Sequence, residues 1–272
     1  MTRYGISSWI VRDVSVDEAI DGLADAGFTE AELSGTDAPL VRGWESDPVG
    51  IRERLNAAGI DAPSVHSPES GRRLDAEDDA ERRASMDANV EYFRAMVECG
   101  MEMIVIHATG AAKYSTEQDR QAGRARSMDS LRVLADEAGK AGVRMAVENL
   151  GGDKRPDSGM ADLLGMIDGL GDHVGLCFDI GHAEQAGFDL VQELRTATAE
   201  GKLFSLHMHD VNPEGRDHFI PGEGRIDFDV FLAELDASGS PALRTLEISP
   251  PETDVPQRLQ QAARLRDEWS RR

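Results

Sequence analysis

Gly142-Val-Arg-Met-Ala-Val-Glu148 is the stretch whose reading decides the fold. Glycine readily takes the left-handed backbone that ends a helix. The apolar run after it has the character of a strand buried on both faces, as in a parallel sheet. A carboxylate closing such a strand is out of place in a core, yet well placed on the rim of a barrel. Working outward, the same phrase recurs along the chain. Gly27 precedes Glu32, Gly59 precedes His66, and Gly100 precedes His107. Gly171 precedes Asp179, Gly201 precedes His207, and Gly239 precedes Glu247. Repeats in step predict a ring of metal-capable side chains around one site.

The remaining punctuation fills in the units. Strand one is expected at Arg3 to Trp9, strand two at Thr29 to Ser34, and strand three at Ala62 to His66. Strand four spans Met103 to His107, strand five Arg144 to Glu148, and strand six Val174 to Asp179. Strands seven and eight are Leu203 to Asp210 and Leu243 to Ile248. Ser15 with Glu18, and Ser115 with Gln118, have capping-box spacing. Asp47-Pro48 places a cap before a first-turn proline. A helix carrying Leu163, Leu164 and Ile167 on one face stops near Gly171. Eight alternating units predict an α/β (βα)₈ barrel, and 272 residues suit one such domain spanning 1–272, for which ~250 is typical. No strand leads into a GxGxxG turn, which counts against a dinucleotide fold.

Fifty-one acids stand against 29 bases, giving a net charge of −22. Acids are spread over nearly every helix instead of massing in a tail. That pattern matches a halophilic protein adapted to a salt-filled cytoplasm, and it argues against nucleic-acid and membrane partners. No 20-residue apolar segment or signal-peptide pattern occurs, so a soluble, cytoplasmic protein is expected. Cys99 and Cys177 form no CxxC pattern and read as buried free thiols. A homo-oligomer is compatible with this composition.

Glu148, Asp179 and Glu247 close strands five, six and eight, and strand seven carries His207 and His209 two positions apart on one face. Three carboxylates and an imidazole on one rim suit a divalent ion such as Mn, Mg, Co or Zn. Six of the seven histidines (His66, His107, His182, His207, His209 and His218) fall at strand ends or in the loops above them.

These residues carry a family resemblance. Asp179-Ile-Gly-His182-Ala followed by Ala186-Gly-Phe-Asp189-Leu resembles the strand-six signature of the xylose-isomerase-like barrel superfamily. Glu148-Asn149, the His-x-x-Asp of His207 to Asp210, Asp217-His218 before Pro-Gly-Glu-Gly, and Glu247 are similar as well. The superfamily joins sugar and sugar-phosphate isomerases and epimerases to zinc-dependent apurinic/apyrimidinic endonucleases. In the first branch, the resemblance implies one divalent ion held by Glu148, Asp179, His207 or His209, and Glu247. Glu148 and Glu247 would also exchange the proton, and His182 would contact substrate. In the second branch, His66, His107, His182 and His218 would join to hold three zinc ions. The endonuclease loop carries Asp-x-His, whereas here Arg216 stands two before His218 and Asp217 is adjacent. His66, His107, Arg216, Asp217 and His218 are therefore candidates for substrate or a second metal.

The sequence favours metal-dependent isomerisation or epimerisation of a small sugar, sugar phosphate or keto-polyol. Such a reaction needs a base beside the carbon and a cation near the developing enediolate oxygen. The alternatives are an endonuclease-like zinc phosphodiesterase, or a keto-polyol dehydratase on the same scaffold. Arg216, Arg225, Lys113 and Arg155 fall in expected rim loops and are candidate phosphate grips. Trp9 is a candidate wall of the sugar pocket.

Overall fold

The computed structural model describes residues 4–34, 38–68, 73–110, 114–152, 155–249 and 253–272. Eight parallel strands close into a barrel in chain order. They are β1 (Gly5–Ser7), β2 (Glu30–Ser34), β3 (Asp61–His66), β4 (Met103–His107), β5 (Arg144–Glu148), β6 (Val174–Asp179), β7 (Leu203–Met208) and β8 (Leu243–Leu246). The expected (βα)₈ barrel is the fold. Among the described residues no helix is long and apolar enough to cross a membrane.

Pleating sorts each strand into two rows. Ile104, Ile106, Met145, Val147, Leu176, Phe178 and Leu206 join the large core beneath the helices. The alternate residues Met103, Val105, Ala146 and Cys177 form a separate cluster inside the barrel, together with Phe204. A register shift between Leu176 and Cys177 against β7 admits Phe204 to that interior. Gly175 makes the room, since a Cβ there would lie 2.6 Å from the Phe204 ring. The interior row ends at the mouth with His66, His107, Glu148, Asp179 and His207. Cross-strand register sets their level: His107 lies beside Glu148, and Asp179 beside His207.

All seven glycines of the repeated phrase take positive φ, between 62° and 103°. Gly171 nevertheless does not stop a helix. Helix α6 (Met160–Ile167) ends earlier, and Gly169 and Gly171 shape the turn that follows. The Ser15–Glu18 capping box opens α1 (Val16–Asp25), and Asp47 caps α3 (Pro48–Ala57). The second box is one residue later than expected: Thr116 and Asp119 open α5 (Glu117–Ala141), displacing Ser115 and Gln118. A carboxylate at a helix N-terminus complements the helix dipole, which an amide cannot do.

The ends of the barrel differ most from expectation. β1 is shorter than Arg3–Trp9. Ser8–Val11 form a 3-10 turn pinned where the Ser7 hydroxyl accepts the Trp9 N–H, and Arg3 lies outside the described residues. β7 and β8 stop at Met208 and Leu246, leaving His209, Asp210 and Glu247 just beyond. Two helices had no clear sequence signal. Helix α2 (Pro39–Ser46) buries Leu40, Val41 and Trp44, and the six-residue α7 (Ile180–Gln185) is capped by Asp179 itself.

Candidate active site

The mouth brings together Glu148, Asp179, His207 and Glu247. One ligand-capable atom from each lies within 4.8 Å of every other, and all four residues are buried. His207 Nδ1 stands 3.3 Å from Glu148 Oε1 and 3.0 Å from Glu247 Oε2. Neither contact has hydrogen-bond geometry, so this nitrogen has no hydrogen-bond partner among the described residues. Three carboxylates gathered around one imidazole would repel one another without a cation among them. The donor set fits a divalent ion of the Mn, Mg, Co or Zn type.

A further layer fixes these donors. His207 Nε2 is 2.8 Å from Glu32 Oε1, and the Ser64 hydroxyl donates to Glu32 Oε2 at 2.9 Å. Both Glu32 and Ser64 are buried. Asn149 staples β5 to β6: its amide donates to the Asp179 carbonyl, and its oxygen accepts the Asp179 N–H. His209 sits behind Asp179, with Nε2 3.0 Å from Oδ2. Its Nδ1 accepts the backbone N–H of His218 at 3.0 Å. That acceptor role leaves the proton on Nε2, so His209 donates to Asp179. His207 and His209 both face inward, as their spacing requires, but they do different work. His207 joins the carboxylate cluster, and His209 holds one of its members.

Two histidine groups flank the centre. His66 and His107 approach Glu148 Oε2 at 2.9 Å and 3.3 Å. On the other side His182, His209 and His218 bring ring nitrogens within 4.8 Å of one another. His182 Nδ1 lies 3.0 Å from the Asn149 carbonyl, an acceptor only, so Nδ1 carries a proton. Asp217 pairs with His218 Nδ1 at 3.0 Å and lies 3.9 Å from His182 Nε2. Trp9 packs edge-on against His218 at 4.4 Å, forming a wall of the mouth from the turn after β1. His218 takes φ 60°, the one non-glycine at positive φ among the described residues.

Sequence reasoning missed the framework that holds the loops. Asp210, fully buried, accepts backbone N–H groups from Val211, Gly222, Gly224 and Ile226. This one carboxylate shapes the loop that presents Asp217 and His218. On the opposite side, buried Asp75 accepts from Gly110 N–H and the Tyr114 hydroxyl, while Asp157 pairs with Thr109 and Arg155. Asp210 was visible only as the end of the His-x-x-Asp motif, and Asp75 and Asp157 gave no signal, since Gly110, Tyr114 and Thr109 lie 35, 39 and 48 residues from them.

The candidate phosphate grips fare differently. Arg155 is spent on Asp157, Thr109 and the Gly110 carbonyl. Arg225 pairs with Glu184 at 2.9 Å. Arg216 is exposed and lies over the Phe219 ring, 5.8 Å from its centroid, outside the cluster. Lys113 lies outside the described residues.

Electrostatics bind the cluster together. Burial alone would raise the Glu148 carboxyl, but His207 and His107 reverse this and hold it well below the usual carboxylate range. Asp179 is lowered in the same way, burial being outweighed by His182 and His209. Glu247 is lowered against burial by His207. Burial opposes charge on the imidazoles, yet the carboxylates push His66 up to about 9 and His182 up to about 10. His207 rises well above its ordinary value for the same reason, with Glu247, Glu32 and Glu148 around it.

Comparison with known proteins agrees with this architecture. Residues 20–268 match the family described as xylose isomerase-like TIM barrel. A probable endonuclease 4 of Methanoculleus marisnigri is 28% identical over 257 residues, covering 86% of this chain and 87% of that protein. An inosose isomerase of Bacillus licheniformis is 30% identical over 172 residues, covering 60% of this chain and 61% of that protein. The solved structure of an L-ribulose 3-epimerase superposes with a TM-score of 0.81 at 19% identity, covering 100% of this chain and 96% of that one. With the family match running over nearly the whole barrel, the chain belongs to the xylose isomerase-like TIM barrel family.

Proposed function

We propose that this protein is a divalent-metal-dependent isomerase or epimerase of a small sugar or related keto-polyol. The observation that carries the reading is the approach of Glu148 and Glu247 to the one nitrogen His207 Nδ1, at 3.3 Å and 3.0 Å, with Asp179 completing the set. A divalent ion held by these four residues would supply fixed positive charge for the negative charge that develops on a substrate oxygen.

The chain's own groups supply the proton chemistry. Glu148 and Glu247 are two separate carboxylates at one mouth, held unprotonated by their histidine neighbours. One takes a proton from the carbon beside the carbonyl, and the other returns a proton to the substrate. Substrate closure excludes water and raises the proton affinity of the base towards its working range. His182, with Nδ1 spent on Asn149, turns Nε2 to the mouth, where it can donate to a sugar oxygen. Trp9 and His218 wall that space. The inosose isomerase relative and the epimerase-like barrel support the reading.

The decisive experiment is turnover in D₂O over a panel of ketoses, keto-polyols and their phosphates, in high salt. Label should enter the product at carbon, and Glu148→Gln should abolish both exchange and turnover. A second reading has its own support. The His66–His107–Glu148 group and the neighbouring His182 and His218, with the endonuclease 4 relative, fit a multi-zinc phosphodiesterase. Three zinc ions per chain and cleavage of abasic DNA, with no exchange into any sugar, would replace the isomerase reading.

A further inference from the structure

Glu32 belongs to β2, on the side of the barrel away from β5, β6 and β7, and neither branch of the functional reading uses it. Its carboxylate is 2% exposed, an expensive place for an acid. Its two oxygens have separate duties. Oε2 accepts the Ser64 hydroxyl, and Oε1 faces His207 Nε2 at 2.8 Å. The register places Glu32 beside Ser64, so the hydroxyl that steadies it comes from the neighbouring strand.

An imidazole can present either nitrogen to a site. A carboxylate beside one nitrogen keeps the proton there and leaves the other free to bind. At His207 the nitrogen facing Glu32 is Nε2, and the opposite one, Nδ1, faces Glu148 and Glu247 without a hydrogen bond. The ring is fully buried, so water cannot take over the role of Glu32. The stacking of the His66 ring on His207 at 5.7 Å limits tilt but sets no proton position.

We infer that Glu32 is a positioning residue: it holds a proton of His207 on Nε2, so that the nitrogen the ring bares for an ion is Nδ1, at the centre of the carboxylate cluster. The consequence for metal affinity rests on the proposed role of His207 as a ligand, whereas the consequence for the proton does not. Glu32 touches no reacting atom. It works through the ring of His207, and Ser64 works through Glu32.

The test pairs two readouts on wild type, Glu32→Leu and Glu32→Gln. Long-range ¹H–¹⁵N spectra of the metal-free protein, followed upward in pH until His207 has lost one proton, report which nitrogen keeps the other. Wild type should show a proton on Nε2, and Glu32→Leu should lose that signature. Glu32→Gln, which keeps an accepting oxygen, should retain it. Cobalt titration, read by its visible absorption, should show affinity falling about 10- to 100-fold in Glu32→Leu, the usual range for losing such a partner. Glu32→Gln should recover most of that loss. A wild-type His207 with Nε2 unprotonated would overturn the inference. So would Glu32→Leu binding cobalt as tightly as wild type. Wild type that binds no cobalt at all would sink the metal reading instead, and the proton position would still decide the role of Glu32. If Glu32→Leu fails to fold, the wild-type and Glu32→Gln spectra decide the same question, and loss of the Nε2 proton in Glu32→Gln would count against the role of its accepting oxygen.

Discussion

His209 Nε2 lies 3.0 Å from Asp179 Oδ2, while the other nitrogen of the same ring accepts a backbone N–H from His218. The ring is thus saturated at both ends. It can orient Asp179, but it has no free nitrogen to offer an ion. His207, two residues earlier, has one.

This difference predicts unequal effects of two similar substitutions. His207→Ala should abolish stoichiometric divalent-ion binding. His209→Ala should weaken it by about 10- to 100-fold, as loss of an orienting partner does. Metal analysis and calorimetric titration of both variants check the order. Equal, small effects would remove His207 from the ligand set.

Gly181 follows Asp179 by two residues and has no room for a methyl group. A Cβ there would fall 1.9 Å from Cε1 of His209. Gly181→Ala should therefore displace the His209 ring and cost at least ~1–3 kcal/mol, the range for overpacking. Denaturant melts of the metal-free protein measure the cost. A stability equal to wild type would show that the ring moves freely.

Asp210→Asn should destabilise the loop after β7 by about 1–3 kcal/mol, because an amide cannot accept all the N–H groups now converging on the carboxylate. Hydrogen exchange should show protection lost at Gly222, Gly224 and Ile226. Unchanged protection there would contradict the role assigned to Asp210.

The metal-free protein should have a narrow pH optimum of stability. His66 and His182 are raised from 6.5 to about 9 and about 10. Their contribution is complete below about 6.5 and lost as pH climbs through those values. Glu148 and Asp179 are lowered, so their contribution is complete above the ordinary carboxylate range and lost as pH falls. Melting temperature should peak between about pH 5 and 6.5. Added divalent ion should shift the optimum upward, because binding needs His207 deprotonated and releases protons. A metal-free optimum near pH 9 would contradict these assignments.

Seven of the eight strands, β2 to β8, were legible because each follows the same grammar: a left-handed glycine, an apolar run and a polar terminus. The four central donors were legible for the same reason, being the last inward residues of their strands or the first beyond. The choice between His207 and His209 was not. Period-two spacing puts both rings inside, and only the depth of the neighbouring Asp179 and the path of the chain at His218 separate them. The Thr116 cap, the short β1 and the Asp75–Tyr114 and Asp157–Arg155 pairs depend on contacts that no sequence pattern announces. Arg155 shows the limit well: a rim arginine reads as a ligand grip until its partners are known.

The left-handed backbone at His218 sets stability against chemistry. That conformation costs an ordinary side chain roughly 1–2 kcal/mol, whereas glycine adopts it freely at a smaller entropic cost. A mutant library sorted for heat resistance alone would therefore enrich glycine at this position. The winners would keep the barrel and lose the ring that faces Trp9, His182 and Asp217. Engineering this scaffold for durability requires selection on turnover at position 218, since the more robust sequence there is the one with an emptier mouth.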